Sequence, residues 1–260
     1  MESDADVLGL ILVGSAAQAA GRLDEWSDLD IILVVRDAAF SRYYPSTYWL
    51  KGIGELWAWE QPQGGRATTL ARFADLRRLD VVAVPESALG EIEEWGAHLL
   101  AAGFRVLFSR SAQLDALLTR EFHPPPVRTA SAGEWERTAS RYWFACGLAV
   151  YKVVRGDLLV ALHLTLELEQ ECLVLAMMLR DRTTGTTQHR DSVVYREVLE
   201  CLPSVHDPGD PASILDRVEG CSLLFDELSV QWCGPGYDAH RGPLLEYIQR
   251  ARGVLAGEQA

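Results

Sequence analysis

Two stretches of the chain decide the fold: VLGLILVGS at residues 7–15 and SDLDIILVV at residues 27–35. The first contains the almost wholly apolar run Val7 to Val13, and the second contains the apolar, β-branched run Leu29 to Val35; both are typical of buried strands. The first run ends at Gly14-Ser15, and Asp28 and Asp30 stand at the head of the second. We therefore predict two buried strands with polar groups at their ends.

The rest of the first half predicts further strands with a few helices between them. We expect a short helix over Ala16 to Ala20 and a helix rich in aromatic residues from about Ser46 to Trp59. A hairpin is predicted from Ala67 to Phe73 and from Leu79 to Val84, where Pro85 ends it. A last strand is expected from Arg105 to Phe108. These elements predict a small mixed sheet.

The second half has a different pattern, that of a helical bundle. Phe122 to Pro126 includes three consecutive prolines, which cannot be helical, so we place a domain boundary there and predict domains 1–125 and 126–260. Glu134 to Val154 and Leu158 to Arg180 have helical periodicity and no proline, and two or three further helical segments follow. The predicted class is α+β, a mixed sheet with helices followed by a C-terminal bundle.

Composition narrows the possible partners and compartments. The 260 residues include 37 acidic and 24 basic side chains, for a net charge of −13 at pH 7. Such a charge repels a polyphosphate backbone, so we expect no nucleic-acid partner. No apolar stretch approaches the ~20 residues that a membrane helix needs. The five cysteines form no CxxC motif, and we interpret them as buried or half-buried thiols of a cytoplasmic protein.

Three aspartates carry the predicted chemistry. Side chains at positions i and i+2 of a strand share a face, so Asp28 and Asp30 can converge on one spot. Asp80 opens another apolar strand about fifty residues later and could complete the site. Carboxylates this close need a cation between them, and hard oxygen ligands suit Mg²⁺ with the oxygens of a bound phosphate. The Gly14-Ser15 turn would offer backbone N–H groups and a hydroxyl to that phosphate.

The residues Gly14-Ser15, Ser27 to Ile31 and Arg78 to Pro85 resemble the nucleotidyltransferase superfamily that includes DNA polymerase beta. Within it, the chain is most similar to the aminoglycoside 6-adenylyltransferases, also called streptomycin adenylyltransferases. The resemblance implies a catalytic domain followed by a substrate-binding helical bundle, with ATP as co-substrate and two Mg²⁺ ions. It makes Asp28 and Asp30 ligands of both metals, Asp80 the third carboxylate, and Gly14 and Ser15 contacts of the triphosphate.

The second half supplies further candidates from the helical part of the resemblance. Lys152 could hold a phosphate as a point charge. Glu167, His163 and Trp143 are candidates for binding the substrate. The general base that takes the proton of the acceptor hydroxyl is either Asp80 or Glu167. Thr165 stands where the family pattern leads us to expect an acid, and the loop Lys51 to Arg66 also departs from it.

The expected function is transfer of AMP from ATP to a hydroxyl of a small cationic antibiotic, an aminoglycoside such as streptomycin, with release of pyrophosphate. Such a chain would be an antibiotic-resistance enzyme of the cytoplasm with no membrane partner, and its oligomeric state is left open. Two alternatives remain. One is a lincosamide nucleotidyltransferase, and the other is a regulatory or toxin–antitoxin protein that binds nucleotides with this fold.

Overall fold

The computed structural model describes residues 2–17, 26–123, 132–185, 194–202, 207–234, 237–238 and 240–257. The chain divides into two compact units, Met1–Pro126 and Val127–Ala260. The predicted boundary at residues 122–126 lies partly outside the described residues. The first unit is built on a sheet and the second is helical, so the predicted α+β class is confirmed.

A mixed six-stranded sheet organises the first unit, in the order β3-β4-β5-β2-β1-β6. Its pairs are antiparallel except for β2 and β5, which run parallel. The predicted hairpin is formed by β4 and β5. The strands are β1 (Val7–Val13), β2 (Leu29–Val35), β3 (Leu56–Glu60), β4 (Thr68–Phe73), β5 (Arg78–Pro85) and β6 (Arg105–Ser109).

Both faces of the central strands are covered, which explains why β1 and β2 are apolar along nearly their whole length. On one face Leu33 packs in a cluster with Phe73 and Leu50. On the other face Ile11 and Ile32 pack in a second cluster with Leu114. The short helices of this unit are α1 (Phe40–Tyr43), α2 (Ile92–Trp95), α3 (Ala97–Ala101) and α4 (Ala112–Leu118).

The predicted helix from Ser46 to Trp59 is wrong. Tyr48–Gly52 forms only a short 3₁₀ helix, and Leu56–Glu60 is the edge strand β3, paired with β4. The backbone hydrogen bonds that β4 offers outweigh the weak local preference of this aromatic segment for a helix. The side chains of Trp57 and Trp59, in this edge strand, are 67% and 54% exposed.

The short helix predicted over Ala16 to Ala20 is described only in part. Gly14–Ala17 forms a 3₁₀ helix, and residues 18–25 lie outside the described part of the chain. The strand predicted at Arg105 is confirmed as β6, which pairs with β1. Strands β1, β2 and β5 are therefore adjacent at the centre of the sheet.

Helices form the second unit, as the sequence predicts. They are α5 (Ala132–Val154), α6 (Leu158–Thr184), α7 (Val198–Cys201), α8 (Pro211–Cys233) and α9 (Arg241–Leu255). Asp210 caps α8 by accepting hydrogen bonds from the backbone N–H groups of Ala212 and Ser213. Pro211 is the first residue of the helix, where its lack of a backbone N–H costs no helical hydrogen bond. Within the described residues, no helix has the length and apolarity to cross a bilayer.

The core of the second unit is aromatic and apolar, and it includes an ion pair. Tyr142 of α5 stacks on Phe225 of α8 with ring centroids 3.6 Å apart. Glu169 of α6 accepts hydrogen bonds from the buried Arg217 of α8. The apolar stripe of α6 is buried, at Leu164, Leu168, Cys172, Leu175 and Leu179.

The prediction that all cysteines are buried or half-buried is wrong at two positions. Cys146, Cys172 and Cys221 are buried thiols, whereas Cys201 and Cys233 are exposed. Both exposed cysteines are the last residues of their helices, α7 and α8, where a side chain has few neighbours to cover it.

Candidate active site

The parallel pairing of β2 and β5 brings the three predicted aspartates together. Asp30 and Asp80 are direct partners in the register, and Asp28 lies just before β2 on the same face as Asp30. One carboxylate oxygen of each residue lies within 4.8 Å of the others. All three side chains are half-buried. Residues some fifty positions apart in the sequence thus form one cluster of carboxylates.

The electrostatics of this cluster are unfavourable without a cation. Burial, together with the charges of Asp28 and Asp80, raises the pKa of Asp30 to about 6, although the positive charge of Arg78 opposes the shift. Nearby positive charge therefore balances the negative charge of ionised Asp30 only in part. A raised pKa of this kind is common at functional sites.

Arg78 is a member of the site that our sequence reasoning missed. Its guanidinium lies 3.2 Å from Asp28 Oδ2 and 2.5 Å from Asp80 Oδ2, and its Nε donates to Asp80 Oδ1 at 3.1 Å. The signal was present in the sequence, because Arg78 stands two residues before Asp80 on the same strand and therefore shares its face.

Gly14 lies against the cluster because Val13, the residue before it, is paired with Asp30 across β1 and β2. Its φ of +69° is a conformation that side chains disfavour. A Cβ at this position would also approach Asp30 Oδ2 to under 3.0 Å, closer than real Cβ contacts. Glycine is therefore strongly favoured at this position. Ser15 follows in the 3₁₀ helix and is exposed.

The donor set of the cluster fits a divalent metal. Three converging carboxylates supply hard oxygen ligands at one point, and the raised pKa of Asp30 marks a place where added positive charge is stabilising. A divalent metal ion would be held by Asp28, Asp30 and Asp80.

The predicted residues of the second unit are found at separate places within it. Lys152, near the end of α5, pairs with Asp157 at 2.8 Å. His163 and Glu167 pair with each other at 3.2 Å, one turn apart on α6, and both are largely exposed. Lys152 and Glu167 therefore each have a local partner, and their roles in phosphate and substrate binding stay predictions.

Trp143 lies elsewhere, in the wall of a cavity of about 1060 Å³ inside the second unit. Its described lining includes Trp143 but not His163, Glu167 or Lys152. Further lining residues are Trp135, Trp232, Tyr237 and Tyr247, with the acidic side chains of Glu136 and Asp238. Our sequence reasoning missed this set, because α5, α8 and α9 contribute to it from distant positions in the chain.

Two polar groups in the wall of this cavity, the indole Nε1 atoms of Trp135 and Trp143, have no hydrogen-bond partner among the described residues. Trp135 is 9% exposed. Nearby, the Tyr237 hydroxyl donates to Asp226 Oδ1 at 2.8 Å. Burial and this hydrogen bond raise the pKa of Tyr237 to about 12, so the phenol stays protonated at neutral pH.

Several solved structures are similar to this chain at low identity. An aminoglycoside 6-adenyltransferase from Bacillus subtilis is 14% identical, with 96% of this chain and 94% of that chain covered and a TM-score of 0.44. A nucleotidyltransferase-like protein from Exiguobacterium sibiricum 255-15 is 15% identical, with 95% and 74% covered and a TM-score of 0.34. A spectinomycin adenyltransferase from Enterococcus faecialis, solved with ATP and spectinomycin, is 12% identical, with 96% and 92% covered and a TM-score of 0.31. Values this low carry no argument about this chain.

A match to a protein family shows the family to which this chain belongs. No curated protein matches the chain. A model of the streptomycin adenylyltransferase family matches residues 1–192, a range that includes the aspartate cluster and helices α5 and α6. The chain belongs to the streptomycin adenylyltransferase family and is a nucleotidyltransferase enzyme.

Proposed function

We propose that this enzyme transfers AMP from ATP to a hydroxyl group of a small cationic antibiotic, an aminoglycoside such as streptomycin, and releases pyrophosphate. The observation that carries the proposal is the convergence of Asp28, Asp30 and Asp80 on one point in a chain of this family. Three carboxylates beside a glycine turn suit the binding of a metal and a triphosphate better than any covalent role for the protein.

In the proposed reaction the acceptor hydroxyl oxygen forms a bond to the α-phosphorus of ATP. The bond from that phosphorus to the bridging oxygen of the β-phosphate breaks, and pyrophosphate leaves with the electron pair. Two Mg²⁺ ions, when bound, would neutralise the charge on the attacking and leaving oxygens. Asp28 and Asp30 would hold both ions, and Asp80 would be the third ligand.

The hydroxyl proton must pass to a base in this scheme. Asp80 and Glu167 are the two candidates. Asp80 lies in the carboxylate cluster, and its two oxygens accept hydrogen bonds from Arg78. Glu167 is exposed and pairs only with His163 among its charged neighbours in the described residues. Replacing the general base should collapse kcat, whereas replacing a residue that only binds the acceptor should raise KM, so variant kinetics distinguish the two candidates.

Two observations support a cationic acceptor. The chain carries a net charge of −13, which attracts polycations. The described lining of the cavity in the second unit contains the carboxylates of Glu136 and Asp238 and no lysine or arginine. Its tryptophan and tyrosine rings add faces on which an organic cation or a sugar ring can stack. We propose that this cavity contributes to acceptor binding, with Trp143 as one wall.

The test is pyrophosphate release on incubation with ATP, Mg²⁺ and a panel of aminoglycosides, with a lincosamide included. We expect release with at least one aminoglycoside, and Asp28→Asn and Asp30→Asn should each lower turnover by orders of magnitude. Asp75→Asn is the matched control, because Asp75 is an exposed aspartate that pairs only with Arg77 in the described residues. Wild-type turnover in either cluster variant would contradict the metal assignment. Pyrophosphate release with the lincosamide alone would show that the acceptor is a lincosamide and not an aminoglycoside.

A further inference from the structure

The guanidinium of Arg78 contacts two of the three carboxylates that would hold a cation. It bonds both oxygens of Asp80, through Nε at 3.1 Å and Nη2 at 2.5 Å, and its Nη1 lies 3.2 Å from Asp28 Oδ2. The Arg78 side chain is 38% exposed, so it has a path into solvent. The described ion pairs of Arg78 leave Asp30 without a direct bond.

The oxygens that contact Arg78 belong to two of the carboxylates that a metal would use. Of the four carboxylate oxygens of Asp28 and Asp80, three are within reach of the guanidinium, and only Asp28 Oδ1 has no described contact with it. Arginine forms strong two-pronged bonds to carboxylates, so breaking these contacts lowers the net affinity for a metal. Metal and guanidinium therefore compete for the same carboxylates.

The same contacts hold the cluster together when no metal is bound. Three carboxylates with oxygens within 4.8 Å of one another repel, and the positive charge of Arg78 lowers the pKa of Asp30 against that repulsion. Removing that charge would leave the carboxylates more repulsive towards each other and more attractive to a free cation.

We propose that Arg78 is a positioning residue that acts as a displaceable counter-cation: it keeps Asp28 and Asp80 in place in the metal-free enzyme and leaves them when the metal binds. The proposal rests on the metal site of the proposed function and goes beyond it. The metal affinity of the free enzyme is then lower than the three carboxylates alone would give, because a bound metal must displace Arg78.

The test measures binding of Mn²⁺ alone to the full chain, from the electron paramagnetic resonance signal of the free ion, without nucleotide or antibiotic. A nearby opposite charge shifts a carboxyl pKa by about 1–3 units, so Arg78→Met should tighten Mn²⁺ binding by roughly tenfold or more. Arg77→Met is the matched control, because Arg77 is the neighbouring arginine, is more exposed and pairs with Asp75 outside the cluster. It should leave the affinity unchanged.

A stability measurement provides an independent readout. In EDTA, Arg78→Met should melt at a lower temperature than the wild type, and saturating Mn²⁺ should raise its melting temperature by more than it raises that of the wild type. If Arg78→Met does not fold, Arg78→Gln and Arg78→Lys replace it. The glutamine variant should bind Mn²⁺ more tightly than wild type, and the lysine variant should fall between the two because it keeps the charge without the fork.

The outcomes separate this proposal from the one on which it rests. Equal or weaker Mn²⁺ binding by Arg78→Met overturns the role of Arg78 and leaves the metal site standing. If neither the wild type nor any variant binds Mn²⁺, the metal site itself is refuted and the proposal for Arg78 fails with it. An equal gain in Arg77→Met would mean that general surface charge, and not the contacts of Arg78, sets the affinity, and it too would overturn the proposal.

Discussion

Gly14→Ala tests whether the turn after β1 positions the carboxylate cluster. Two costs arise at this position. The φ of +69° is strained for alanine by about 1 kcal/mol. In addition, the new Cβ would lie about 1 Å closer to Asp30 Oδ2 than the 3.4 Å at which ordinary contact begins, so the carboxylate must shift by about that distance.

Gly64→Ala separates these two costs. Gly64 has a nearly equal φ of +73°, and a Cβ there meets nothing within 4 Å. The control should therefore lose only the backbone term, about 1 kcal/mol. Gly14→Ala should lose that and a further ~1 kcal/mol for forcing the Asp30 side chain away from its preferred rotamer. The free energy of unfolding, from urea titration followed by circular dichroism, measures both losses.

Activity should distinguish the two variants more sharply than stability does. A displacement of a catalytic group by about 1 Å can cost on the order of 100-fold in rate, so we expect Gly14→Ala to lose most of its pyrophosphate release and Gly64→Ala to keep it. Equal stability and equal turnover in the two alanine variants would refute the reasoning, because Asp30 would then not depend on the space beside Gly14.

Three further predictions concern the same machinery. ATP with Mg²⁺ should raise the melting temperature, and chelating the metal should remove most of the rise; an equal shift with EDTA would argue against a carboxylate-bridged site. In EDTA, Asp30→Asn should melt higher than wild type at pH 7 and lose this advantage at pH 5. The folded-state pKa of Asp30 is raised from 3.8 to about 6, so the wild type gains stability as pH falls through 6 towards 4, and an asparagine does not titrate. A pH-independent difference would contradict this. For Glu167→Gln, a higher KM with kcat preserved would indicate acceptor binding, a collapse of kcat would indicate the general base, and wild-type values of both would exclude Glu167.

The local pattern of apolar residues correctly predicted the strands that carry the site. The apolar runs at Val7–Val13 and Leu29–Val35 are β1 and β2, because a strand buried on both faces needs apolar residues at nearly every position. The same reasoning failed between Ser46 and Trp59. That segment takes its structure from pairing with β4, which comes later in the chain, and no local preference encodes the pairing.

The sequence by itself determined which residues could form the carboxylate cluster, because the side chains at i and i+2 of a strand share a face and place Asp28 beside Asp30. Only the tertiary structure decided what surrounds them. The parallel register of β2 and β5 puts Asp80 opposite Asp30 and brings Arg78 to the same carboxylates, and the pairing of β1 with β2 puts Gly14 against Asp30. In the second unit, α5, α8 and α9 together form the aromatic cavity around Trp143, while His163 and Glu167 lie outside its described lining. Contacts of this kind depend on which distant elements pair and pack, and such pairing is set by the burial of whole faces and not by the order of residues within one element.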